Sequence, residues 1–447
     1  MRQLARTLVL AVSFGGLISG SAEAASRRAA SGAPQPAQDA TTAPPEKTKA
    51  QLALEPIEQD FRIVYQSLQN KGGIAPDDRE TIRSLRDRAT AFNRKWRGEQ
   101  KGLAFEMQLS VWLEAHDRVD ELFERLVKIN PDDPAIGLAW TNYVRRGGDN
   151  DRVEKVFKRI VKAYPEALRV RAAWADYLKA SNRYGEALEA LEGHDLDPTE
   201  VPGAVLTFSE CLFAEQRYQE ALDALEAVPA EVLAENPFLS SQIDRDKPTR
   251  QKYVEFWTEE QAIREAEAEA DDLPRVELVL DRGRIVVELY ENEAPNTVSN
   301  FISLVESGFY TDTKFHRVLD FMAQGGDPNT KPGATGVPGR GSPGYRIPDE
   351  HGRLNSRRHF TGSLAMAKTA PPDTAGCQFF ITHTAPYWLN GKHTVFGHVI
   401  EGLEVSRGIE PDEVLKSATV LRKRDHEYEP STLPEEGSTT APSTQPG

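Results

Sequence analysis

Phe315-His316-Arg317-Val318, Phe321-Met322-Ala323-Gln324-Gly325-Gly326-Asp327, Gly376-Cys377-Gln378-Phe379-Phe380-Ile381-Thr382 and Trp388-Leu389-Asn390-Gly391-Lys392-His393-Thr394-Val395-Phe396-Gly397 stand in that order in the C-terminal third of a 447-residue chain. They lie among short apolar runs and Gly/Pro-rich loops, a pattern that suggests a mainly-β, closed antiparallel barrel carrying few helices. Just upstream, Val276, Leu278 and Leu280 answer Ile285, Val287 and Leu289 across Asp281-Arg282-Gly283, the alternation of a hairpin. Ala294 to Gly308 follows with helical spacing, Pro295 in its first turn and Gly308 just past its end.

Together the four blocks resemble a cyclophilin, a peptidyl-prolyl cis/trans isomerase, over residues 273–424. The chemistry of that family explains the residue types. An Xaa-Pro amide must lose its resonance to rotate, against a barrier of roughly 18–20 kcal/mol, so the uncatalysed step takes tens of seconds or longer. In the twisted state the proline nitrogen becomes more basic, and a donor aimed at it binds that state better than the planar substrate. Arginine suits the task because its guanidinium stays charged and holds its donors in a fixed fork. The resemblance implies that Arg317 is this donor and that Phe321, Met322, Phe380 and Leu389 grip the proline ring. It further implies that Gln324 and Gln378 orient their neighbours and that His393 forms a polar wall. Ala367 contributes its backbone, and Trp388 stands at the edge where the family's cyclosporin ligands bind.

Several positions depart from the family pattern. Only Val318, Leu319 and Asp320 separate Arg317 from Phe321, where four residues are usual, so the turn is one residue tighter. A shortening confined to the turn keeps the pocket, whereas a register slip would send side chains to the opposite face. Lys368 stands where many members have asparagine, Thr369 to Ala375 is one residue longer than usual, and Cys377 replaces the common serine. Other chemistries find no support. His393 and His398 fall on opposite faces of a strand, no Cys-x-x-Cys or His-Glu-x-x-His occurs, and the glycines from Gly325 to Gly344 lack the Gly-Lys-Ser/Thr of a phosphate loop. No metal and no cofactor is implied.

Upstream, residues 51–248 are helical in pattern and repeat with a period of about 34. Trp140 and Tyr143 recur as Trp174 and Tyr177, Phe123 as Phe157, Pro131 as Pro165, and Ala187-Leu188 as Ala221-Leu222. Such helical hairpins cannot bury their faces alone, so about four stacked units from Leu103 to Leu233 predict a short all-α solenoid. The units resemble tetratricopeptide repeats, with Arg-Tyr-x-Glu-Ala-Leu at 183–188 and 217–222. The usual first-helix glycine is missing from the Trp140 and Trp174 units, which leaves generic helical hairpins open, and the aromatic residues are expected to fill the core. Residues 249–272 continue as a charged helix expected to act as an exposed cap and linker.

At the N-terminus, Arg2 and Arg6 precede an apolar run from Leu8 to Ile18 and Ala22-Glu23-Ala24, a secretory signal over residues 1–24. This predicts export to a periplasmic or extracellular compartment. Residues 25–50 and 425–447, rich in Ala, Pro, Ser and Thr, are expected to be a disordered linker and tail. No later segment reaches the ~20 apolar residues of a membrane span. The net charge of −15 argues against nucleic-acid partners. The two cysteines, Cys211 and Cys377, fall in separate predicted domains and are not expected to pair. Two functions remain: an active foldase acting on exported, proline-containing client polypeptides, or a catalytically weak proline-binding scaffold whose repeats recruit a protein partner.

Overall fold

A computed structural model describes residues 47–435 and divides the chain into two compact units, Met1–Val170 and Arg171–Gly447. The expected signal, nearly all of the 25–50 linker and the last twelve residues of the expected tail lie outside the described residues.

The first unit contains α1 Lys49–Lys71, α2 Pro76–Lys95, α3 Gln100–Trp112, α4 His116–Ile129, α5 Pro134–Arg145 and α6 Asn150–Ala163. Helix α1 starts inside the stretch expected to be linker. Thr48 accepts from the Gln51 amide while the Gln51 side chain accepts from Thr48 N, a reciprocal cap that sets the first turn. Of the repeat aromatics, Phe123, Trp140, Tyr143, Phe157 and Tyr177 are buried, while Trp174 is half-buried. Phe123 and Trp140 are 1% exposed and stacked with centroids 5.8 Å apart, and the Trp140 indole donates to Asp120 at 2.7 Å.

Helix α7 Leu168–Lys179 crosses into the second unit, which continues with α8 Tyr184–Leu191, α9 Pro202–Ala214, α10 Tyr218–Glu226, α11 Ala230–Glu235 and α12 Pro237–Ala270. The helical stretch 51–248 is therefore divided between two compact units, and its second part is compact with the β-rich region. Residues 249–270 are the end of α12 and are not exposed on every side: Arg250, Tyr253 and Glu260 are buried, and the helix meets the segment Arg357–Phe360. Glu260 accepts from Arg357 at 2.9 and 2.7 Å and from Arg264 at 2.7 Å, while Glu267 accepts from Arg357 at 2.6 Å. Arg357 also lies 3.7 Å from the Tyr290 ring centroid, and the Arg357 and Glu260 side chains are 2% and 4% exposed. A face made of charged residues that meet their partners across the contact has no apolar stripe to betray its burial.

The β-rich region comprises β1 Arg275–Leu280, β2 Gly283–Leu289, α13 Pro295–Glu306, β3 Thr313–Phe315, β4 Arg317–Leu319, β5 Met322–Gly325, β6 Tyr345–Arg346, β7 Ser363–Met366, β8 Phe379–Thr382, β9 Val395–Glu401, α14 Leu403–Arg407, β10 Glu413–Leu415, β11 Ser417–Arg422 and β12 Leu433–Pro434. The first hairpin pairs Val276 with Val287 and Leu278 with Ile285, as alternation predicts. Eight strands form one antiparallel sheet in the order β11-β1-β2-β9-β7-β8-β5-β4. Among the described residues no ladder joins β11 to β4, so the barrel expected to be closed is an open, curled sheet. Only His316 separates β3 from β4 and only Lys416 separates β10 from β11, and β3 pairs with β10 in a second small sheet. The chain at both edges turns into that ladder instead of pairing edge to edge.

Helix α13 packs Val298, Phe301, Ile302 and Val305 into the main core with Leu278, Phe379 and Phe396. Its N-terminal amides at Asn296 and Thr297 donate to the buried Glu350 carboxylate at 3.2 and 2.8 Å, an anion where the helix dipole favours one. The tail expected to be disordered from 425 remains ordered to 435. Tyr428 is 7% exposed and donates to Glu291 at 2.9 Å, and β12 pairs with β6. Cys211 and Cys377 are both buried and free, and among the described residues no helix is long and apolar enough to cross a membrane.

Candidate active site

The β4–β5 hairpin decides whether the shortened turn matters. Arg317 pairs with Gln324, Val318 with Ala323 and Leu319 with Met322, leaving Asp320 and Phe321 as the turn. The missing residue is absorbed in the turn and the register is regular, so Arg317 and Gln324 project from the same face. Next, β5 pairs with β8, setting Gln324 opposite Phe380 and Met322 opposite Thr382.

These strands build a hydrogen-bonded chain of fixed direction. The Arg317 guanidinium donates to Gln324 Oε1 at 3.2 Å, Gln324 Nε2 donates to Gln378 Oε1 at 3.0 Å, and Gln378 Nε2 donates to the Gly341 carbonyl at 3.0 Å. Each amide has its acceptor turned toward one neighbour and its donor toward the next, which holds the otherwise exposed arginine from one side.

An apolar floor lies beside this chain. Met322 is 2% and Phe380 4% exposed, with Phe321, Leu389 and Ala367 packed around them. Ala367 N donates to Gln378 O at 2.9 Å, which ties the β7 end to the glutamine chain. Trp388, 44% exposed, sits with its ring 5.2 Å from Phe321 in an edge-on arrangement. His393 meets the Phe380 ring edge-on at 5.6 Å and its Nδ1 is 3.0 Å from the Met366 carbonyl. Burial holds the His393 imidazole below its ordinary range; the bond to Met366 opposes this and Lys368 adds to it. All ten residues singled out from the sequence line one groove of about 1250 Å3.

Three supporting groups escaped the sequence reading. Asp327, fully buried, accepts from Gly339 N, from Gly341 N at 3.2 Å and from Gln378 Nε2 at 3.3 Å, pinning the glycine-rich loop to the glutamine chain. A Cβ at Gly341 would lie 1.9 Å from the Asp327 carboxylate, so only glycine admits this approach. Behind the floor, the His359 ring lies parallel to Phe380 at 5.9 Å, and Asn390 Oδ1 accepts from His359 N at 2.8 Å. From α12, the Tyr253 hydroxyl donates to the His359 carbonyl at 2.8 Å and accepts from Asn390 at 3.3 Å. The departures from the family pattern are accommodated locally: Lys368 pairs with Asp349 at 2.5 Å, and Thr369 and Thr374 hydrogen-bond across the longer loop.

The site is thus a groove on a curled antiparallel sheet with an arginine beside an apolar floor. Residues 275–425 match the family model for cyclophilin type peptidyl-prolyl cis-trans isomerases. The human peptidyl-prolyl cis-trans isomerase-like 1 is 47% identical over 133 residues, 29% of this chain and 75% of that protein. The peptidyl-prolyl cis-trans isomerase ppi1 of Schizosaccharomyces pombe is 40% identical over 163 residues, covering 33% of this chain and all of that protein. Peptidyl-prolyl cis-trans isomerase B of Bacillus subtilis is 43% identical over 144 residues, 32% of this chain and 94% of that one. The chain belongs to the cyclophilin-type peptidyl-prolyl cis-trans isomerase family.

Proposed function

We propose that this protein catalyses cis/trans isomerisation of Xaa-Pro bonds in exported polypeptides, with Arg317 as the donor to the prolyl nitrogen. The observation that carries this reading is the Arg317 guanidinium held by Gln324 beside the Met322–Phe380–Leu389 floor. A proline ring enters the apolar floor, where burial of its methylenes supplies binding, each worth about 0.8 kcal/mol. As the amide twists, the nitrogen lone pair localises and accepts from the guanidinium, an interaction the planar ground state lacks. Gln324, anchored through Gln378 to the loop, keeps the guanidinium from relaxing away, so little reorganisation is spent in the twisted state. His393, held neutral by burial, closes the groove as a polar wall without adding a second positive charge. No bond is made or broken, and the chemistry requires no metal or cofactor. Trp388, exposed at the rim, suits the binding of an extended or cyclic peptide such as cyclosporin.

The N-terminal signal pattern supports export to the periplasm or the cell exterior, and the tetratricopeptide-like hairpins suit recruitment of polypeptide clients. The test is the isomerisation rate of a short Xaa-Pro peptide measured by NMR exchange with the mature protein and Arg317→Ala. A fall of at least tenfold, about 1.4 kcal/mol of lost transition-state stabilisation, is expected. No acceleration by folded wild-type protein would leave a proline-binding scaffold in place of a foldase.

A further inference from the structure

Helix α2, the turn after it and helix α4 of the first unit line a groove of about 830 Å3 whose wall carries Arg86, Arg94, Arg97, Arg118, Arg125 and Lys128. Such a concentration stands out in a chain of net charge −15. Several arginines elsewhere in this unit meet carboxylates, as Arg88 meets Asp60 at 2.5 Å and Arg152 meets Asp120 at 2.9 Å. Two of the groove's cations are matched in this way. Arg86 pairs with Asp87 at 2.9 Å, and Arg118 pairs with Glu121 at 2.6 Å and with Glu106 at 2.5 Å.

Glu106, whose side chain is fully buried, also accepts from Thr90 and Asn93, both at 2.7 Å. Its charge is thus consumed in fixing Arg118 and does not offset the rest. Among the described residues Arg125 reaches only backbone carbonyls, those of Asn93 and Arg97 at 3.4 and 3.5 Å. Arg94, Arg97 and Lys128 are exposed and, among the described residues, pair with no carboxylate. Four cations facing one cleft without compensation repel one another, a cost removed when an anion enters.

We infer that this groove binds a short acidic stretch of a client polypeptide, with the guanidinium groups of Arg94, Arg97 and Arg125 receiving its carboxylates. Guanidinium forks match carboxylates two bonds at a time. The cleft has the size of a small-ligand pocket, enough for a few side chains. A nucleic acid fits less well, because its charges continue at one per ~1.7 Å of duplex beyond the cleft, across a protein that is acidic overall. The inference rests on the reading that the helical region recruits clients, and it is independent of catalysis.

The experiment measures fluorescence anisotropy of a labelled Glu/Gly octapeptide, its Lys/Gly counterpart and a single-stranded oligonucleotide of equal charge, each with the full-length protein at low and physiological salt. The Glu peptide should bind, more weakly as salt rises, and the Lys peptide should not. Arg94→Glu/Arg97→Glu/Lys128→Glu should weaken the Glu peptide at least tenfold while leaving short-peptide isomerisation unchanged. If that variant unfolds by circular dichroism, Arg97→Gln/Lys128→Gln replaces it, with at least a threefold loss expected. Equal binding by wild type and variant, or by both peptides, overturns the assignment, as does tighter binding of the oligonucleotide. Loss of isomerisation by Arg317→Ala with Glu-peptide binding intact separates this groove from the catalytic one.

Discussion

Replacing Glu260 by Gln tests whether α12 is anchored to the segment Arg357–Phe360 by charge. Glu260 is 4% exposed and bridges Arg357 and Arg264, and Arg357 is itself buried beneath the Tyr290 ring. Removing one partner of a buried pair costs about 3–5 kcal/mol, because the remaining charge is left without compensation. Arg357 keeps Glu267 at 2.6 Å, which places the loss near the lower figure, about 3 kcal/mol. At about 2–4 °C per kcal/mol for a unit of this size, the transition should fall by about 6–12 °C in differential scanning calorimetry. The effect should depend on pH. Burial alone would raise the Glu260 carboxyl, but Arg357 and Arg264 outweigh it and hold it below the usual range. A depressed carboxyl contributes stability above its unfolded value of about 4.3 that is lost as pH falls through the lower folded value, so the gap between wild type and Glu260→Gln should narrow in acid. Glu267 runs the other way, because burial lifts it. The quadruple variant Glu260→Leu/Arg264→Met/Glu267→Leu/Arg357→Met, which removes the whole cluster of charges, should recover most of the loss, whereas Glu260→Leu/Arg357→Met should not, because it leaves Arg264 and Glu267 without these partners. A fall of less than about 2 °C in Glu260→Gln would refute the anchoring role and assign the contact to the surrounding aromatic residues.

His359 and His383 are each pushed down to about 4, chiefly by burial, with Asn390 opposing the shift at His359 and Arg407 adding to it at His383. Both stay neutral in the fold, so their contribution is present above about pH 6.5 and is lost as pH falls toward 4, up to about 3 kcal/mol each. Urea unfolding at pH 7 and pH 5 should show this loss, and His383→Asn should flatten it; a pH-independent midpoint in wild type contradicts the argument. A fragment of residues 171–435 should keep short-peptide turnover, whereas residues 273–424 should not fold stably, since that cut uncovers Arg357 and Phe360 and removes Tyr428. Size exclusion and circular dichroism distinguish the two, and a compact, fully active 273–424 would show that α12 and the 425–435 strand are dispensable.

What could be read from the chain depended on how each residue is held. Alternation placed the first hairpin because β1 and β2 have one face against the core. The helices were legible because apolar residues at helical spacing, such as Phe123 and Trp140, meet across neighbouring helices. Nine of the ten groove residues were legible because their blocks converge on β4, β5, β8 and the turn before β9, while Ala367, just past β7, lies outside those blocks. The edges were not legible: whether β4 meets β11 depends on corners at His316 and Lys416 that no periodicity encodes. Asp327 and Asn390 escaped because their roles come from loop carbonyls and amides distant in sequence. The burial of α12 escaped because Glu260, Glu267 and Arg250 resemble a solvated surface until Arg357 and the Phe213 ring are seen against them.

The boundary of the compact unit at Val170/Arg171 has a consequence for inheritance. Kinship with other isomerases begins at 275, yet the compact unit that contains the matched segment begins about a hundred residues earlier. Transplanting the shared segment into another chain would therefore carry Arg357 and Tyr290 without the helix that covers them. On the prediction that residues 273–424 do not fold stably alone, exchange between chains would succeed only with the longer piece.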